Sequence, residues 1–284
     1  MIEEIKDTSE ILEFIWRISQ DKTKNSYPKF QSRDDLERTI ECANKSDMQK
    51  IIGCYQQDIL KGVTIFFWEK DDIVAQTIVF MIEDEYSINA NEMIGYIKKE
   101  LPYYKLLIGV PFDNVLANTY FETLNVKCIE SSYDTRLKYT TRFDYEVQQQ
   151  IEPLNVIEFT EYADFHDRFA DEFDMYWTSE RLKEHINKFR IYVYRNNGKV
   201  NGSILVMKYN EGAEVFGLFI DKELKNQGLE RELIRFMLKS LYEEYSDIKE
   251  IVYFIHEKEK SELEAALEVG FEIQDTYKCY RYEL

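Results

Sequence analysis

The strongest constraint in this sequence is a parallel between its two halves. Strand-like apolar segments at 75–82 and 213–220 resemble each other and lie 138 residues apart. A second pair of strand-like segments, at 105–110 and 250–255, lies 145 residues apart. The two halves are therefore predicted to fold alike, with seven additional residues in the second half at 221–227.

The additional residues are predicted to form a loop that leads into a helix starting at Gly228. Main-chain N–H groups of such a loop, and of a helix N-terminus, bind anions. Lys225 adds a positive charge, and Gly228 lets the backbone approach a ligand closely. Glu230 suits the positive end of the helix dipole, but its carboxylate would repel a diphosphate if it turned inward. The alternative interpretation is an ordinary loop followed by a first-turn carboxylate.

Hydrophobic periodicity and turn signals predict the order β-α-α-β-β-β-α-β-α-β-β for each half. The clearest turn signal is Asn197-Gly198, a dipeptide typical of two-residue hairpin turns. The fold class is therefore α/β (α+β). The predicted domains are residues 1–142 and 154–284, joined by a linker at 143–153 that contains a glutamine run and a proline.

One short segment carries a family resemblance. Lys225-Asn226-Gln227-Gly228-Leu229-Glu230 stands between the fourth strand and the third helix of the second half. In this element order it resembles the Arg/Gln-x-x-Gly-x-Gly/Ala signature of the GNAT N-acetyltransferase superfamily. The positive charge and the first glycine are kept, whereas Glu230 replaces the final small residue. The resemblance covers nearly the whole chain and implies two tandem GNAT-like domains, each with a mixed, mostly antiparallel sheet flanked by helices.

By this resemblance the cosubstrate is acetyl-CoA, which donates its acetyl group to an amine. Its pantetheine arm is expected between strands 213–220 and 250–255, and a main-chain N–H near Phe219 or Ile220 is expected to polarise the thioester. The residues implied in cofactor binding are Phe219, Ile220, Lys225, Asn226, Gln227, Gly228, Leu229 and Glu230.

Acyl transfer to an amine also needs a base for the amine and an acid for the departing thiolate. Glu214 is the candidate base, and a solvent-facing strand carboxylate is the alternative interpretation. The family's tyrosine four residues before a Gly-Phe pair is absent, because Ala266 stands at that position. The candidate substitutes are His256, Tyr277 and Tyr280, and the alternative interpretation of each is a packing or surface residue. A thiolate can also leave without a dedicated acid.

The first half lacks the loop. Glu83-Asp84-Glu85 stands where phosphates would need donors, and three carboxylates there would repel a diphosphate. The first half is therefore predicted not to bind CoA, to cover the sheet edge of the second domain and to form part of an acceptor pocket.

Composition restricts the partners. The net charge of −18 argues against nucleic acid and anionic membranes, and it suits a small-molecule or peptide amine as the acceptor. Four cysteines without a CxxC pair and three scattered histidines predict no metal site. An acidic N-terminal stretch and the lack of a long apolar run predict a cytoplasmic protein without a signal peptide. Homo-oligomer formation stays open.

Three functions remain in competition at this point. The leading interpretation is an acyl-CoA-dependent N-acyltransferase whose C-terminal half holds the cofactor and whose N-terminal half is degenerate. The alternative is a catalytically silent GNAT-fold module that binds CoA or another ligand for sensing or protein interaction. The third interpretation is a structural interaction protein that uses its acidic surface.

Overall fold

The computed structural model describes residues 1–5, 8–30, 32–138, 150–172, 175–209 and 211–284. Within these residues the chain forms two compact units. Unit 1 contains Met1–Ser132 together with Thr276–Leu284, and unit 2 contains Tyr133–Asp275.

Unit 1 is built on a mixed, mostly antiparallel sheet. Its helices are α1 (Ser9–Ser19), α2 (Arg33–Lys45), α3 (Tyr86–Glu100) and α4 (Val115–Thr123). Its strands are β1 (Ile2–Glu4), β2 (Gln49–Gln56), β3 (Ile59–Glu69), β4 (Val74–Ile82) and β5 (Lys105–Pro111), with the first part of β6 (Lys127–Lys138) and the last part of β12 (Glu272–Glu283). The strand order is β1-β2-β3-β4-β5-β12. In this order β4 and β5 pair in parallel, and the other pairs are antiparallel.

Unit 2 repeats this plan. Its helices are α5 (Phe159–Glu172), α6 (Ser179–Glu184), α7 (Leu229–Glu244) and α8 (Lys260–Glu268). Its strands are β7 (Ile151–Pro153), β8 (Phe189–Asn196), β9 (Lys199–Tyr209), β10 (Gly212–Ile220) and β11 (Glu250–His256), with the last part of β6. The strand order is β7-β8-β9-β10-β11-β6. Here β10 and β11 are the parallel pair, whereas β7 to β10 pair antiparallel in succession.

Apolar side chains cover both faces of the unit 2 sheet. Leu233, Met237 and Leu241 of α7 are fully buried on one face, and their spacing of four residues puts them on one side of the helix. Tyr162 and Phe165 of α5 are buried on the other face. This burial fixes α7, and with it the loop that precedes α7, against the ends of the central strands.

The two sheets share one irregularity. In β4 the extra residue Ile78 interrupts the pairing with β3, and in β10 the extra residue Phe216 interrupts the pairing with β9. The offset between these two bulges equals the 138 residues that relate the two strands in the sequence. The internal repeat thus extends to the position of a single-residue bulge.

The compact units differ from the predicted domains at the C-terminus. Residues 277–283 pair antiparallel with Lys105–Pro111 of β5, so the end of β12 belongs to unit 1 and not to a domain spanning 154–284. Conversely, residues 133–138 of β6 belong to unit 2, where the Thr135 hydroxyl donates to the Tyr253 carbonyl oxygen at 2.7 Å. Each unit therefore contains a strand segment from the other half of the sequence.

The predicted linker also has a structured end. Residues 143–149 lie outside the described residues. Ile151–Pro153 form β7, which pairs with Tyr192–Tyr194 of β8. The proline is tolerated because it lies at the end of the sheet's edge strand, where a missing N–H disrupts little.

Candidate functional site

The parallel strands of unit 2 separate near the middle of β10. Parallel pairing runs from Gly212 opposite Glu250 to Val215 opposite Tyr253. Beyond Val215, β10 continues to Ile220 and pairs with β9 alone. In the described chain, no strand pairs with the other edge of β10 along this stretch. We call this gap the β10–β11 opening; Phe219 and Ile220 lie on its β10 side.

Residues 221–228 form the loop that leads from β10 into α7, here called the α7 loop. It contains a short 3₁₀ turn at Lys222–Leu224, followed by two residues with left-handed backbone, Asn226 (φ 61°) and Gly228 (φ 86°). Gly228 is the N-cap of α7, which begins at Leu229. A Cβ at Gly228 would meet only Arg231 Nη2, at 3.7 Å, so backbone conformation and not space explains the glycine.

Glu230 turns into the α7 loop. Its Oε1 accepts a hydrogen bond from the Asn226 main-chain N–H at 3.0 Å and another from the Ser261 hydroxyl at 3.1 Å. The side chain is only 4% exposed. A carboxylate of the protein therefore occupies a donor that an anionic ligand of this loop would use.

Lys225, one of the two lysines of the α7 loop, is also paired. Lys225 Nζ donates to Glu259 Oε2 at 2.8 Å, and both side chains are partly buried. Lys225 therefore neutralises a carboxylate of the protein and does not present an unbalanced charge to a ligand.

A third glutamate lies deeper in the same region. Glu262 of α8 is buried, and the Tyr253 hydroxyl donates to its Oε1 at 2.5 Å. Burial raises the pKa of Glu262 to about 8; the nearby negative charges of Glu259 and Glu230 add to the increase, and the Tyr253 hydrogen bond and Lys225 oppose it. At neutral pH this carboxyl group is therefore mostly protonated.

The predicted base, Glu214, lies just before the opening. It faces Met207 of β9 and Val252 of β11, where both ladders are still paired. Its charge contributes, after burial, to raising the pKa of Tyr209. Glu214 is thus close enough to the opening to reach its start, but it also belongs to a polar cluster on the strand surface.

The structure does not bring His256 to Glu214. His256 ends β11, four residues beyond the position opposite Glu214, which corresponds to roughly 13 Å along the strand. Its Nδ1 accepts a hydrogen bond from the Lys258 main-chain N–H at 3.2 Å. The two candidate catalytic residues are therefore well separated along the strand direction.

Tyr280 requires a correction, because it belongs to unit 1. It lies opposite Ile108 in the β12–β5 ladder and is buried. Its hydroxyl donates to Asn118 Oδ1 at 2.9 Å, and its ring stacks on Phe121 at 4.8 Å. Tyr280 is therefore a packing residue of unit 1, whereas the sequence had assigned it to the C-terminal site.

Ala266 is a core residue of unit 2. It is fully buried in the cluster that includes Leu233, Met237 and Phe271. A tyrosine would not fit there without displacing its neighbours. Position 266, where the family has a tyrosine, is therefore closely packed around an alanine in this chain.

Unit 1 has a corresponding opening, and its own chain fills it. Parallel pairing of β4 and β5 ends at Gln76 opposite Leu107. Beyond that point the Tyr27 N–H donates to the Gly109 carbonyl oxygen at 3.1 Å, and the Phe80 N–H donates to the Ser26 hydroxyl at 3.1 Å. The segment 25–27 thus bridges the two diverging strands and occupies the β4–β5 opening.

The carboxylates of unit 1 do not form an isolated acidic cluster. Glu83 pairs with Arg17 at 2.6 Å, and Asp84 pairs with Lys61 at 2.7 Å. The predicted repulsion of phosphates is therefore partly neutralised. The filled opening is a stronger reason to expect no ligand in unit 1. Sequence reasoning missed it, although the long connection at 20–32 between α1 and α2 was a usable signal.

Aromatic side chains surround the bulge of β10. Phe216 contacts Trp177 edge-to-face with ring centroids at 6.1 Å, and it contacts Phe189 at 5.6 Å. Trp177 and Phe189 also contact each other at 4.9 Å. Phe219 stacks on Phe169 of α5 at 5.0 Å. These contacts anchor the α5–α6 connection beside the start of the β10–β11 opening.

The part of the chain that the structure describes contains neither a candidate metal site nor a candidate membrane-spanning helix. Among the described residues, no three His, Cys, Asp or Glu side chains are grouped so that they could hold a metal ion. No helix in that part of the chain has both the length and the apolar character needed to cross a bilayer.

Comparisons with known proteins identify the fold. No protein-family profile matches the chain, and no curated protein matches it. Among solved structures, it is similar to a GCN5-related N-acetyltransferase from Sphaerobacter thermophilus, with a TM-score of 0.62, 9% identity and coverage of 100% of this chain and 95% of that one. It is also similar to a tandem GNAT protein from the clavulanic acid biosynthesis pathway, with a TM-score of 0.52, 11% identity and coverage of 100% and 98%.

A third similar structure is a GCN5-related N-acetyltransferase from Kribbella flavida, with a TM-score of 0.52, 11% identity and coverage of 86% of this chain and 93% of that one. The chain therefore has the fold of the GNAT acyltransferases, in the tandem form that the sequence resemblance predicted. At this level of identity the comparisons establish the fold alone. The chemistry has to be inferred from the residues of the site.

Proposed function

We propose that unit 2 is an N-acyltransferase that accepts an acyl-CoA thioester, acetyl-CoA first among them, in the β10–β11 opening. The observation that carries this proposal is the contrast between the two openings. In unit 1 the segment 25–27 bridges β4 and β5, whereas in unit 2 no described segment pairs beyond Val215 with the edge of β10 that faces β11. Free main-chain groups on the edge of a strand suit the amides of a pantetheine arm.

The thioester end and the diphosphate end of the donor differ in how well they fit unit 2. The thioester and the pantetheine amides suit the opening at Ile220. The Asp221 N–H donates to the Asn201 carbonyl oxygen of β9, so by alternation along the ladder Phe219 also faces β9 and Ile220 faces the opening. The diphosphate does not fit the α7 loop as it stands, because Glu230 accepts from the Asn226 N–H and Lys225 is paired with Glu259.

The residues of unit 2 have defined roles in the proposal. The thioester supplies an activated acyl group. Glu214 removes a proton from the attacking amine, and a main-chain N–H near Phe219 or Ile220 donates to the carbonyl oxygen as negative charge develops there. As the carbon–nitrogen bond forms and the carbon–sulfur bond breaks, the thiolate leaves and is protonated from solvent.

The acceptor is an amine of a small molecule or a peptide. The net charge of −18 supports a cationic acceptor over nucleic acid or an anionic membrane. The aromatic group of Trp177, Phe189 and Phe216 beside the opening supports an acceptor with an apolar part. A cytoplasmic location is part of the proposal, supported by the four free cysteines.

A second candidate function has an observation of its own. The internal carboxylate of Glu230 in the α7 loop favours a catalytically silent GNAT-fold module that binds another ligand or a protein. Calorimetric titration with acetyl-CoA and CoA, followed by turnover against a panel of amines, separates the two. Binding with turnover supports acyl transfer, binding without turnover supports the silent module, and no binding of either ligand refutes the acyl-CoA proposal.

A further inference from the structure

The α7 loop of unit 2 already contains an anion. A diphosphate at a helix N-terminus is held by main-chain N–H groups and by the positive end of the helix dipole. In this chain the Asn226 N–H donates to Glu230 Oε1, and Glu230 lies in the first turn of α7. Glu230 therefore makes from within the protein one of the main-chain contacts that a ligand phosphate would make from outside.

This carboxylate is held from two sides. The Ser261 hydroxyl of α8 donates to the same Oε1 atom, and the side chain is buried between the α7 loop and α8. An incoming phosphate would have to compete with both hydrogen bonds and displace a buried side chain. Such a displacement is unfavourable.

Two of the cations in or near the loop are already paired with carboxylates. Lys225 is paired with Glu259 at 2.8 Å, and Arg231 with Glu268 at 2.9 Å. A diphosphate would meet at least one uncompensated carboxylate, Glu230, at the place where its own charge needs balancing. Electrostatics and hydrogen bonding thus lead to the same conclusion.

We propose that unit 2 recognises its acyl donor through the pantetheine arm alone, and that the diphosphate and nucleotide add nothing to binding. This inference rests on the proposed acyl-transfer function. The ligand class is accordingly wider than acyl-CoA and includes acyl thioesters of pantetheine itself. Glu230 is the residue that sets this specificity.

The test compares two donors on the full chain. S-Acetylpantetheine and acetyl-CoA are titrated at low and high salt. We expect dissociation constants within about threefold of each other and little salt dependence, since no phosphate contact is made. A preference of tenfold or more for acetyl-CoA that weakens with salt would overturn the inference while leaving the proposed function intact. Failure of both donors to bind would refute the proposed function and this inference with it.

A variant pair localises the effect. Glu230→Ala frees the Asn226 N–H, and we expect it to tighten acetyl-CoA about tenfold in a salt-dependent way while leaving S-acetylpantetheine unchanged. Glu232→Ala is the matched control, because Glu232 lies in the same helical turn but pairs with Arg235 at 3.2 Å. Equal changes for both donors in Glu230→Ala, or equal effects of the two substitutions, would contradict the role assigned to Glu230. The comparison of donors on the wild-type protein stands even if the variant folds poorly.

Discussion

The hydroxyl of Tyr253 donates to Glu262 Oε1 at 2.5 Å, and this pair ties the centre of β11 to the first turn of α8. Tyr253 is also the last residue of β11 that lies opposite β10 before the strands separate. The hydrogen bond therefore connects α8 to the residue of β11 at which the β10–β11 opening begins. Because both side chains are buried, the protonation state of Glu262 is coupled to the stability of unit 2.

Replacing this carboxyl group should remove a pH dependence of stability. The pKa of Glu262 is raised from 4.5 to about 8 on folding, so between these pH values the folded protein binds one proton more than the unfolded chain. The free energy of unfolding should then fall as pH rises through this window, by up to about 1.4 kcal/mol per pH unit from this group. In Glu262→Gln this contribution should disappear. Urea unfolding from pH 5 to pH 8 measures it as the difference between the two proteins.

Glu264→Gln is the control for this measurement. Glu264 lies on the same helix but is exposed, so its substitution should leave the pH profile parallel to that of the wild type. A Glu262→Gln profile that is also parallel would show that Glu262 is ionised in the folded protein at neutral pH.

The pair of Lys225 and Glu259 should be measurable by charge exchange. Lys225→Glu places a third negative charge beside Glu259 and Glu230, and it should lower the free energy of unfolding by about 1–2 kcal/mol at this partly exposed site. Exchanging both residues, as Lys225→Glu with Glu259→Lys, should restore most of the loss. Thermal or urea unfolding of the two single variants and the double variant gives the coupling. Additive losses in the double variant would mean that the two side chains do not interact in solution.

Glu214 should affect turnover far more than donor binding. A general base acts on the amine in the transition state, and its loss typically lowers the rate by about 10²–10⁴-fold. Glu214→Gln should therefore reduce the acyl-transfer rate on the best amine while the donor's dissociation constant changes by less than about twofold. Glu211→Gln is the control, because Glu211 pairs with Lys249 at the surface. If Glu214→Gln keeps full activity, His256→Asn is the next variant to measure.

The segment 25–27 should keep unit 1 free of donor. The ring of Tyr27 stacks on Tyr277 at 4.3 Å with an interplanar angle of 13°. Tyr27→Ala should lower the free energy of unfolding by about 1–3 kcal/mol, whereas Tyr27→Phe should change it little. Calorimetry should find one donor site per chain in the wild type and in both variants. Two donor sites per chain in the wild type would show that a ligand displaces the segment 25–27 from the β4–β5 opening.

The elements that the sequence predicted well depend on local chemistry. Asn197 and Gly198 both have positive φ, and they join β8 and β9 in the hairpin that their identities predicted. The offset between the halves matched the two strands that contain Ile78 and Phe216, but the sequence analysis did not predict the bulges at these residues. Periodicity and turn residues act over a few positions, so they can be read without knowing the partners of a strand.

The features that the sequence did not predict depend on contacts between residues that are distant in the sequence. Glu230 was recognised as a departure from the signature, but its inward rotamer follows from Ser261, which is 31 residues away. Tyr280 was assigned to the wrong unit because alternation in β12 does not reveal that β5 is its partner, more than 160 residues earlier. The buried pair of Tyr253 and Glu262 had no local signal, since a helix carboxylate is usually exposed.

Removal of residues 276–284 should damage unit 1 first. Without them, β5 loses the strand that pairs with Lys105–Pro111. Hydrogen exchange should accelerate at 105–111 before it accelerates at 212–220, because exposed ladder groups exchange with solvent. Equal protection of both segments in the shortened chain would show that the last strand contributes little to unit 1.

The pairing of the end of β12 with β5 also has a consequence for the order of folding during synthesis. A ribosome produces Met1–Ser132 first, but the sheet of unit 1 is completed only when Tyr277–Glu283 emerge. Until then β5 exposes an unpaired edge, a state that invites association with other chains. The N-terminal unit is thus the first to be translated and the last to be finished, and separately expressed halves would each lack part of a sheet.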